Sequence, residues 1–308
     1  MKRIRLKVPA TVANLVCGFD VLGLCLNDPF DEMEVRLLDE KKVVIHHLGN
    51  TNLPTEPHLN TAGAPLLEMI EKLDAAVGFE VTIQKNIKPG SGLGSSAASA
   101  AGAVAAANQL LGSRFSNEDL VRFAMAGEKV ASGVKHADNV TPAIYGGVTL
   151  IRSIFPLDIV AIPAPQLFIT VVHPQIEVRT ADARQILRKE VLLKDAIKQW
   201  GNIAGLVAGL MKSDYALIGR SLEDIIIEPL RSILIPEFNT IKKNCLDAGA
   251  LGGGISGSGP SIFMLSKDEA TAQQVESIMQ EAYKAIGLQH YTYVTSINQT
   301  GCTILESE

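Results

Sequence analysis

Short apolar segments separated by turn-forming residues fill the first part of the chain. Each segment has β-branched residues or alternates apolar with polar positions, which predicts strands that bury one face. The predicted strands are residues 4–8, 31–38, 42–47, 79–84 and 148–151. Helical periodicity predicts helices over residues 61–73, 95–111 and 117–128. Because strands and helices are segregated along the chain, the pattern predicts an α+β fold.

Two prolines in Ile162-Pro163-Ala164-Pro165 disfavour regular structure and predict a domain boundary. We therefore expect an N-terminal domain over residues 1–163 and a C-terminal domain over residues 164–308. In the second domain the order strand, helices, strand, helix, strand is typical of a split β-α-β layout. The expected strands are residues 167–173, 261–266 and 291–297, and the expected helices are residues 180–197, 201–211, 214–218, 224–230 and 268–286.

Composition narrows the classes of partner. The chain has 308 residues, of which 47% are hydrophobic, so it can form two cores. A net charge of −5 argues against a nucleic-acid partner, because a phosphodiester backbone requires a concentrated basic surface. Pro9 and Asn14 interrupt the apolar stretch that a signal peptide would need, and the alanine-rich residues 93–111 predict a buried helix instead of a membrane span. We expect no membrane partner, reduced cysteines without a structural metal, and a cytoplasmic location.

Glycines, hydroxyls and then alanines follow one another in Pro89-Gly90-Ser91-Gly92-Leu93-Gly94-Ser95-Ser96-Ala97-Ala98-Ser99. Alternating glycines let main-chain N–H groups approach an anion, and a helix that begins near Ser95 directs its free N–H groups at the same place. Without a lysine the segment is not a Walker A loop, and its glycine spacing differs from the dinucleotide-binding pattern. It predicts a polyphosphate-binding loop, in which Ser95 and Ser96 either cap the helix or bind a metal. The alternative is an alanine-rich packing helix with a flexible entry.

Polar residues in three other segments suit phosphoryl transfer to a small molecule. Asn14 and Asp20 follow the first strand in an irregular, glycine-containing loop, where Asp20 could pair with an ammonium group. Glu128 ends a predicted helix and could share Mg²⁺ with Ser96 and the phosphates, since Mg²⁺ prefers oxygen ligands. A polar cluster over residues 136–139 is expected in the loop that follows. Taken singly, each of these residues could equally be a solvated turn, surface or structural residue.

The second half adds cations and another glycine segment. Arg179, Arg184 and Arg231 lie in apolar surroundings, and their forked donors suit a carboxylate. Each could instead form a surface or interdomain salt bridge. Residues 252–261 resemble a second loop of close approach, or a tight turn.

In order and spacing, the segments over residues 9–20, 89–99 and 252–261 resemble the three motifs of the GHMP kinase superfamily. Asn14, Phe19-Asp20-Val21-Leu22-Gly23 and His136-Ala137-Asp138-Asn139-Val140 are most similar to its homoserine kinase family. The resemblance implies a ribosomal-protein-S5-domain-2-like N-terminal domain, a ferredoxin-like C-terminal domain and a site in the cleft between them. It also implies ATP as co-substrate, Mg²⁺, and phosphorylation of the L-homoserine hydroxyl to O-phospho-L-homoserine in threonine biosynthesis, with a homodimer suggested.

The resemblance further implies roles for individual positions. Ser96 and Glu128 match the magnesium ligands, and Asn139 falls where the family holds the hydroxyl end of homoserine. Since an amide cannot act as a general base, we expect Asn139 to orient the hydroxyl. Asn60 resembles a residue near the adenine, and residues 89–98 match the ATP loop. The substrate-binding positions are Asn14, Asp20, His136, Asn139, Thr180, Arg184 and Arg231.

Some positions depart from the family pattern. Val12 replaces a common serine, Val16-Cys17 replaces Gly-Pro-like residues, and Ala137 replaces a common proline. These changes affect the shape of the loops more than their polar chemistry.

Two other functions stay open: a sister kinase that acts on another alcohol, such as mevalonate or shikimate, and a catalytically silent regulator that kept the nucleotide loop.

Overall fold

The computed structural model describes residues 2–49, 52–73, 75–178 and 180–308, without the side chains of Thr180 and Ala181. Its strands are β1 (Arg3–Ala13), β2 (Leu22–Leu38), β3 (Val43–Leu48), β4 (Gly78–Gln84), β5 (Val148–Ile154), β6 (Leu157–Ile162), β7 (Phe168–Pro174), β8 (Gly252–Ile255), β9 (Ile262–Ser266), β10 (His290–Ser296) and β11 (Thr303–Ser307). Its helices are α1 (Gly63–Glu71), α2 (Ser95–Leu110), α3 (Asn117–Ser132), α4 (Val140–Tyr145), α5 (Thr180–Gln185), α6 (Leu193–Lys212), α7 (Tyr215–Ser221), α8 (Glu228–Arg231), α9 (Phe238–Asp247) and α10 (Glu269–Ala285). The α+β prediction is confirmed.

The first half is built on a seven-stranded sheet. Five of its strands follow the order β11-β1-β2-β4-β3, and the other two are β5, which pairs with the first residues of β2, and β6, which pairs with β5. Neighbouring strands are antiparallel except β3 and β4. Helix α2 packs against β1 and β2 and is buried along almost its whole length. Its small alanines let the helix approach the sheet closely, which fixes the position of its first turn.

The second half is built on a four-stranded antiparallel sheet with the order β10-β7-β9-β8. A second core of buried residues lies between this sheet and helices α9 and α10. The chain passes from the first sheet to the second between β6 and β7, and β11 returns to pair with β1. The predicted boundary between residues 163 and 164 stays a prediction.

Several elements differ from the sequence-based expectations. Strand β1 runs to Ala13, through the part of the segment that was expected to be irregular, because it pairs with β2 along that length. Helix α4 occupies part of the expected loop after the 136–139 cluster. Helix α6 is one continuous helix across Gly201, where two helices were expected. None of the described helices is both long and apolar enough to cross a bilayer.

Candidate active site

Loops and helices line a cavity of about 600 Å³, and most of the polar residues singled out in the sequence lie in its wall. Residues from both halves of the chain line it. The predicted site residues in its wall are Asn14, Asp20, Pro89, Gly90, Gly92, Gly94, Ser95, Ser96, Glu128, His136, Asn139, Arg184 and Arg231. Folding therefore places the glycine loop and the polar segments of the second half against one space.

The glycine loop leads into α2 and lines the cavity through Gly90, Gly92 and Gly94. Gly90, Gly92 and Gly94 have φ angles of +76°, +80° and +68°, which favour glycine. Gly94 is the N-cap of α2 and no side chain caps the helix. The Ser95 hydroxyl donates instead to the Ile87 carbonyl oxygen at 2.8 Å, so it does not cap the helix. The first-turn N–H groups and the helix dipole are left for an anion.

The second glycine segment supports the first one. The Ser256 hydroxyl donates to the Gly92 carbonyl oxygen at 2.7 Å, and the Ser261 N–H donates to the Ser91 carbonyl oxygen at 3.3 Å. A Cβ atom on Gly92 would lie 2.5 Å from the Ser256 carbonyl oxygen, so the two backbones touch. The close approach predicted for residues 252–261 is thus an approach to the other glycine loop.

Ser96 and Glu128 form a hydrogen-bonded pair at the start of α2. The Ser96 hydroxyl donates to the Glu128 carboxylate at 2.7 Å. Burial raises the pKa of Glu128, and the Ser96 hydrogen bond opposes that shift. No cluster of three His, Cys, Asp or Glu side chains in the described residues could hold a metal ion by itself. The hard oxygen donors of this pair nevertheless fit Mg²⁺, which takes one or two protein oxygens and completes its shell with phosphates and water.

Charged side chains from the two halves meet at the other end of the cavity. Both oxygens of Asp20 lie 2.9 Å from Nη2 of Arg184. Arg231 is buried and donates to the carbonyl oxygens of Gly257 at 2.9 Å and Ala183 at 3.0 Å, both neutral acceptors. Burial and the neighbouring Arg184 lower its pKa. The guanidinium carbons of the two arginines lie 5.5 Å and 5.0 Å from the ring centroid of Phe19, within cation–π range.

Asn14 and His136 border Asp20. The Asn14 side chain accepts from the Asp20 N–H at 3.1 Å and donates to the Gly257 carbonyl oxygen at 3.0 Å, so it joins the Asp20 loop to the second glycine segment. Nδ1 of His136 lies 3.9 Å from the Asp20 carboxylate. Burial lowers the pKa of His136, against the effect of Asp20.

Thr11 fixes the orientation of Asn139. The Thr11 hydroxyl donates to Oδ1 of Asn139 at 2.8 Å, which leaves the amide N–H₂ as the polar group available to the cavity. A Cβ atom on Gly94 would lie 2.1 Å from that hydroxyl oxygen, so Thr11, Gly94 and Asn139 are in close contact. Thr11 was not predicted as a site residue, since nothing in the order of residues links it to Asn139, which lies 128 positions further along the chain.

Asp138 is a further residue that the sequence analysis did not single out for a role. Its buried carboxyl group lines the cavity next to Asn139. Burial, and the charges of Asp20 and Glu128, raise its pKa to about 7. Phe19 was also missed, although it lies one residue before Asp20. An aromatic residue beside a predicted ammonium-binding aspartate was the signal that could have identified it.

The remaining predicted residues lie outside the cavity wall or outside the residues that the structure describes. The Asn60 side chain is buried and contacts the Pro54 carbonyl oxygen at 2.6 Å and the Ala62 N–H at 2.8 Å, so it shapes the loop before α1. Ser91, Leu93, Ala97 and Ala98 are buried, and the N–H groups of Ser91, Leu93 and Ala98 already donate to the Lys88 carbonyl oxygen, the Ser91 hydroxyl and the Gly94 carbonyl oxygen. The side chain of Thr180 and the whole of Arg179 lie outside the described residues.

Comparison with known sequences assigns the fold to a family. The family model for the N-terminal domain of GHMP kinases matches residues 60–147, and that for the C-terminal domain matches residues 206–285. The chain belongs to the GHMP kinase family. A relative named homoserine kinase in Chloroherpeton thalassium is 44% identical over 99% of this chain and 100% of its own length. Another, in Methanococcus maripaludis, is 40% identical over 100% of both chains.

Solved structures of GHMP kinases have the same fold. The crystal structure of homoserine kinase from Cytophaga hutchinsonii is 48% identical in sequence, has a TM-score of 0.95, and covers 99% of this chain and 98% of its own. Mevalonate kinase from L. major has a TM-score of 0.71 at 15% identity, with 96% of both chains covered, so that likeness concerns the fold alone. The implied GHMP fold is therefore confirmed.

Proposed function

We propose that the protein transfers the γ-phosphoryl group of ATP to the side-chain hydroxyl of L-homoserine, giving O-phospho-L-homoserine and ADP in threonine biosynthesis. The observation that carries this proposal is one cavity that joins an uncapped glycine-loop helix to the Asp20, Arg184 and Arg231 cluster. The helix end suits a polyphosphate, and the cluster suits an α-amino acid. The relatives named homoserine kinase support the same acceptor.

ATP occupies the glycine-loop end of the cavity in this proposal. Its phosphates accept hydrogen bonds from the N–H groups of the first turn of α2. Leu53, Leu59 and Val130 form an apolar part of the same wall and provide a surface for the adenine ring. Asn60 supports that surface through the Pro54 carbonyl oxygen.

Ser96 and Glu128 are the residues that would hold Mg²⁺ beside the phosphates. Bound there, Mg²⁺ would neutralise negative charge on the phosphate oxygens. The glycine loop contains no lysine, so the chain itself contributes the helix dipole and main-chain N–H groups to the same end. Glu128 is already directed by the Ser96 hydroxyl.

Homoserine occupies the charged end as a zwitterion. Asp20 and Arg184 neutralise each other in the structure, and the substrate would insert its ammonium group against Asp20 and its carboxylate against the two arginines. Arg231 is held in advance by two carbonyl oxygens, and Phe19 lies against both guanidinium groups. Because the cluster supplies an anion and two cations, it complements both charges of an α-amino acid.

The hydroxyl group is oriented by Asn139. Since Oδ1 accepts from Thr11, the Asn139 N–H₂ donates to the hydroxyl oxygen and turns a lone pair toward the γ-phosphorus. A loose transition state for phosphoryl transfer needs little prior deprotonation of the nucleophile, so alignment and charge neutralisation supply most of the rate. Asn139, Ser96 and Glu128 are the catalytic residues in this proposal.

A coupled assay of ADP release with L-homoserine, mevalonate and shikimate tests the proposal directly. We expect turnover with homoserine and a kcat/KM for the other two alcohols that is lower by at least about 1,000-fold, because neither presents an ammonium group to Asp20. Faster turnover of mevalonate or shikimate would identify a sister kinase. Absence of turnover with every alcohol, together with retained ATP binding, would support the silent regulator.

A further inference from the structure

The side-chain amide of Gln199 joins helix α6 to two other parts of the chain. Gln199 is 5% exposed and lies outside the cavity wall formed by the described residues. Its Nε2 donates to the Cys17 carbonyl oxygen at 2.8 Å and to Oδ1 of Asp224 at 3.0 Å. Its Oε1 accepts from the Ile225 N–H at 3.2 Å. Both hydrogens of the NH₂ group are therefore used, and so is the carbonyl oxygen.

These three partners fix the orientation of the amide. If the amide were rotated by 180°, Oε1 would face two oxygen acceptors and the NH₂ group would face the Ile225 N–H. An apolar side chain of the same length would leave the Cys17 carbonyl oxygen and the Ile225 N–H without this partner in a buried place, which is costly. The position therefore requires a group that donates twice and accepts once.

The contact with Cys17 holds the loop that carries Asp20. Residues 14–21 connect β1 to β2. The non-glycine residues of this loop with positive φ angles are Asn14 (+74°), Leu15 (+42°), Val16 (+66°) and Asp20 (+61°). Such residues disfavour the left-handed region, so the loop keeps its shape only through contacts with its surroundings. The hydrogen bond from Gln199 to the Cys17 carbonyl oxygen is one of these contacts.

The other two contacts hold the turn that leads to Arg231. The Asp224 carboxylate accepts from three N–H groups of this turn at 2.9–3.0 Å, those of Ile226, Ile227 and Glu228. Asp224 therefore organises the entry into α8, which ends at Arg231. Because Gln199 binds both Asp224 and Ile225, it joins this turn to α6.

One side chain thus links the supports of two opposite charges in the cavity. Asp20 lies three residues after Cys17, and Arg231 lies six residues after Ile225. In the proposed function, Asp20 receives the ammonium group of the substrate and Arg231 receives its carboxylate. The distance between these two groups is set by the covalent structure of an α-amino acid. The separation of Asp20 and Arg231 must therefore be fixed as well if both are to bind at once.

We propose that Gln199 is a positioning residue of the acceptor site, which holds the Asp20 loop and the turn before Arg231 at a fixed separation. The inference rests on the function proposed above, since an amino-acid acceptor is the ligand that both charges share. Gln199 acts on homoserine binding through Asp20 and Arg231, without touching the substrate.

Steady-state kinetics tests this role. Gln199→Met keeps the length of the side chain and removes its polar groups, so it should raise the homoserine KM at least about tenfold and leave the ATP KM unchanged. Gln199→Asn keeps an amide that is one methylene too short for all three contacts, and it should raise the same KM even if the Met variant does not fold. A change that only destabilised the protein would lower the amount of active enzyme and the apparent kcat, without raising the KM of one substrate.

Asn202→Ala is the matched control. Asn202 lies on the same helix and donates to the Glu223 carbonyl oxygen at 2.8 Å, next to Asp224, but this contact does not involve the Asp20 loop. Both KM values should stay at the wild-type level in this variant. In Asp20→Asn/Gln199→Met, the rise in the homoserine KM should be smaller than the product of the two single rises, because residues in one network are not additive.

Hydrogen exchange measured by mass spectrometry tests the positioning without a substrate. The N–H groups of residues 14–20 and 225–231 should exchange at least about tenfold faster in Gln199→Met or Gln199→Asn than in the wild type, and no faster in Asn202→Ala. Unchanged exchange, an unchanged homoserine KM in both Gln199 variants, or a double variant whose KM rise equals the product overturns this inference alone. Absence of homoserine turnover in the wild type overturns the proposed function, and this inference with it.

Discussion

In the proposed function, Asp20 acts on the acceptor and Glu128 acts at the phosphates. Asp20 faces Arg184 and His136, while Glu128 contacts Ser96 at the start of α2. Asp20→Asn should raise the KM for homoserine about 10- to 100-fold, the loss expected when a charge-assisted hydrogen bond is removed, and leave the KM for ATP unchanged. Steady-state kinetics with each substrate varied in turn measures both constants. Asp39→Asn, at an exposed aspartate, is the matched control.

Glu128→Gln should have the complementary effect. The amide keeps the size of the side chain and removes the negative charge that would face Mg²⁺, so kcat should fall and the Mg²⁺ concentration for half-maximal rate should rise at least about tenfold. The homoserine KM should change little. If this variant and Asp20→Asn each weakened the binding of homoserine and of ATP to the same degree, the proposed division between the two ends of the cavity would be contradicted.

Asp138 predicts a pH dependence of stability. Its pKa of about 7 in the folded protein lies above the ordinary value of 3.8, so between these values the folded chain keeps a proton that the unfolded chain releases. The stability due to this group is complete below about pH 4 and is lost as the pH rises through 7. Urea unfolding at pH 5 and pH 8 should show the wild type losing about 2–3 kcal/mol more than Asp138→Asn. Equal losses in the two proteins would show that folding does not raise the pKa of the Asp138 carboxyl group.

At the residue scale, the sequence predicted polar groups that share one cavity. Asp20 was identified because it follows the first strand in an irregular loop, and Arg184 and Arg231 because forked donors in apolar surroundings suit a carboxylate; all three line the cavity. Thr11 and Phe19 act through contacts with Asn139 and the arginines that only the folded chain brings together. Their residue types are ordinary in strands and loops, so no local signal marked Thr11.

At the scale of elements, the start of α2 depends on a glycine for two separate reasons. Gly94 has a φ of +68°, and a Cβ atom there would lie 2.1 Å from the Thr11 hydroxyl oxygen. Gly112, just beyond the other end of α2, has a φ of +77° with open space around it. Alanine at either position costs about 1–2 kcal/mol of backbone strain. At position 94 it must also displace Thr11 or the helix.

Gly94→Ala should therefore impair ATP use while Gly112→Ala should not. We expect kcat/KM for ATP to fall at least about tenfold in Gly94→Ala, because a shift of the first turn moves the N–H groups from the phosphates. Thermal unfolding should show a larger loss of stability in Gly94→Ala than in Gly112→Ala, because only the Cβ atom at position 94 meets the Thr11 hydroxyl. Unchanged ATP kinetics in Gly94→Ala would mean that the loop tolerates the displacement.

Element prediction succeeded where a segment was long and periodic. The sequence predicted α2, α3 and α10 because each repeats an apolar face or a helix-forming composition over several turns. It missed β8, whose Gly-rich residues pair with β9, and β11, which pairs with β1 from the far end of the chain. Two helices were expected over residues 180–197 and 201–211, but α6 continues through residues 198–200 and packs Leu206 and Leu210 into the core.

At the scale of the whole molecule, an amino acid bound as proposed would connect the two halves. Asp20 belongs to the loop between β1 and β2, whereas Arg184 and Arg231 belong to α5 and α8. A ligand that satisfies both charges stabilises the folded chain by about 2.7 kcal/mol at 100 times its dissociation constant. L-homoserine should therefore raise the Tm measurably. 4-Hydroxybutyrate, which lacks the ammonium group, and homoserine lactone, which lacks the free carboxylate, should each produce little shift at the same concentration.

The same three ligands distinguish binding of both charged groups of the amino acid from attraction of its carboxylate alone. If the two ends are held at once, Asp20→Asn and Arg231→Lys should each abolish most of the Tm shift with L-homoserine, because either change leaves one end of the ligand without its partner. If instead Asp20 acts only on Arg184, the Tm shift should survive in Asp20→Asn and 4-hydroxybutyrate should stabilise the wild type as strongly as homoserine does. Differential scanning fluorimetry with all three ligands on the wild type and both variants distinguishes these outcomes, since only the first requires a ligand with both charges.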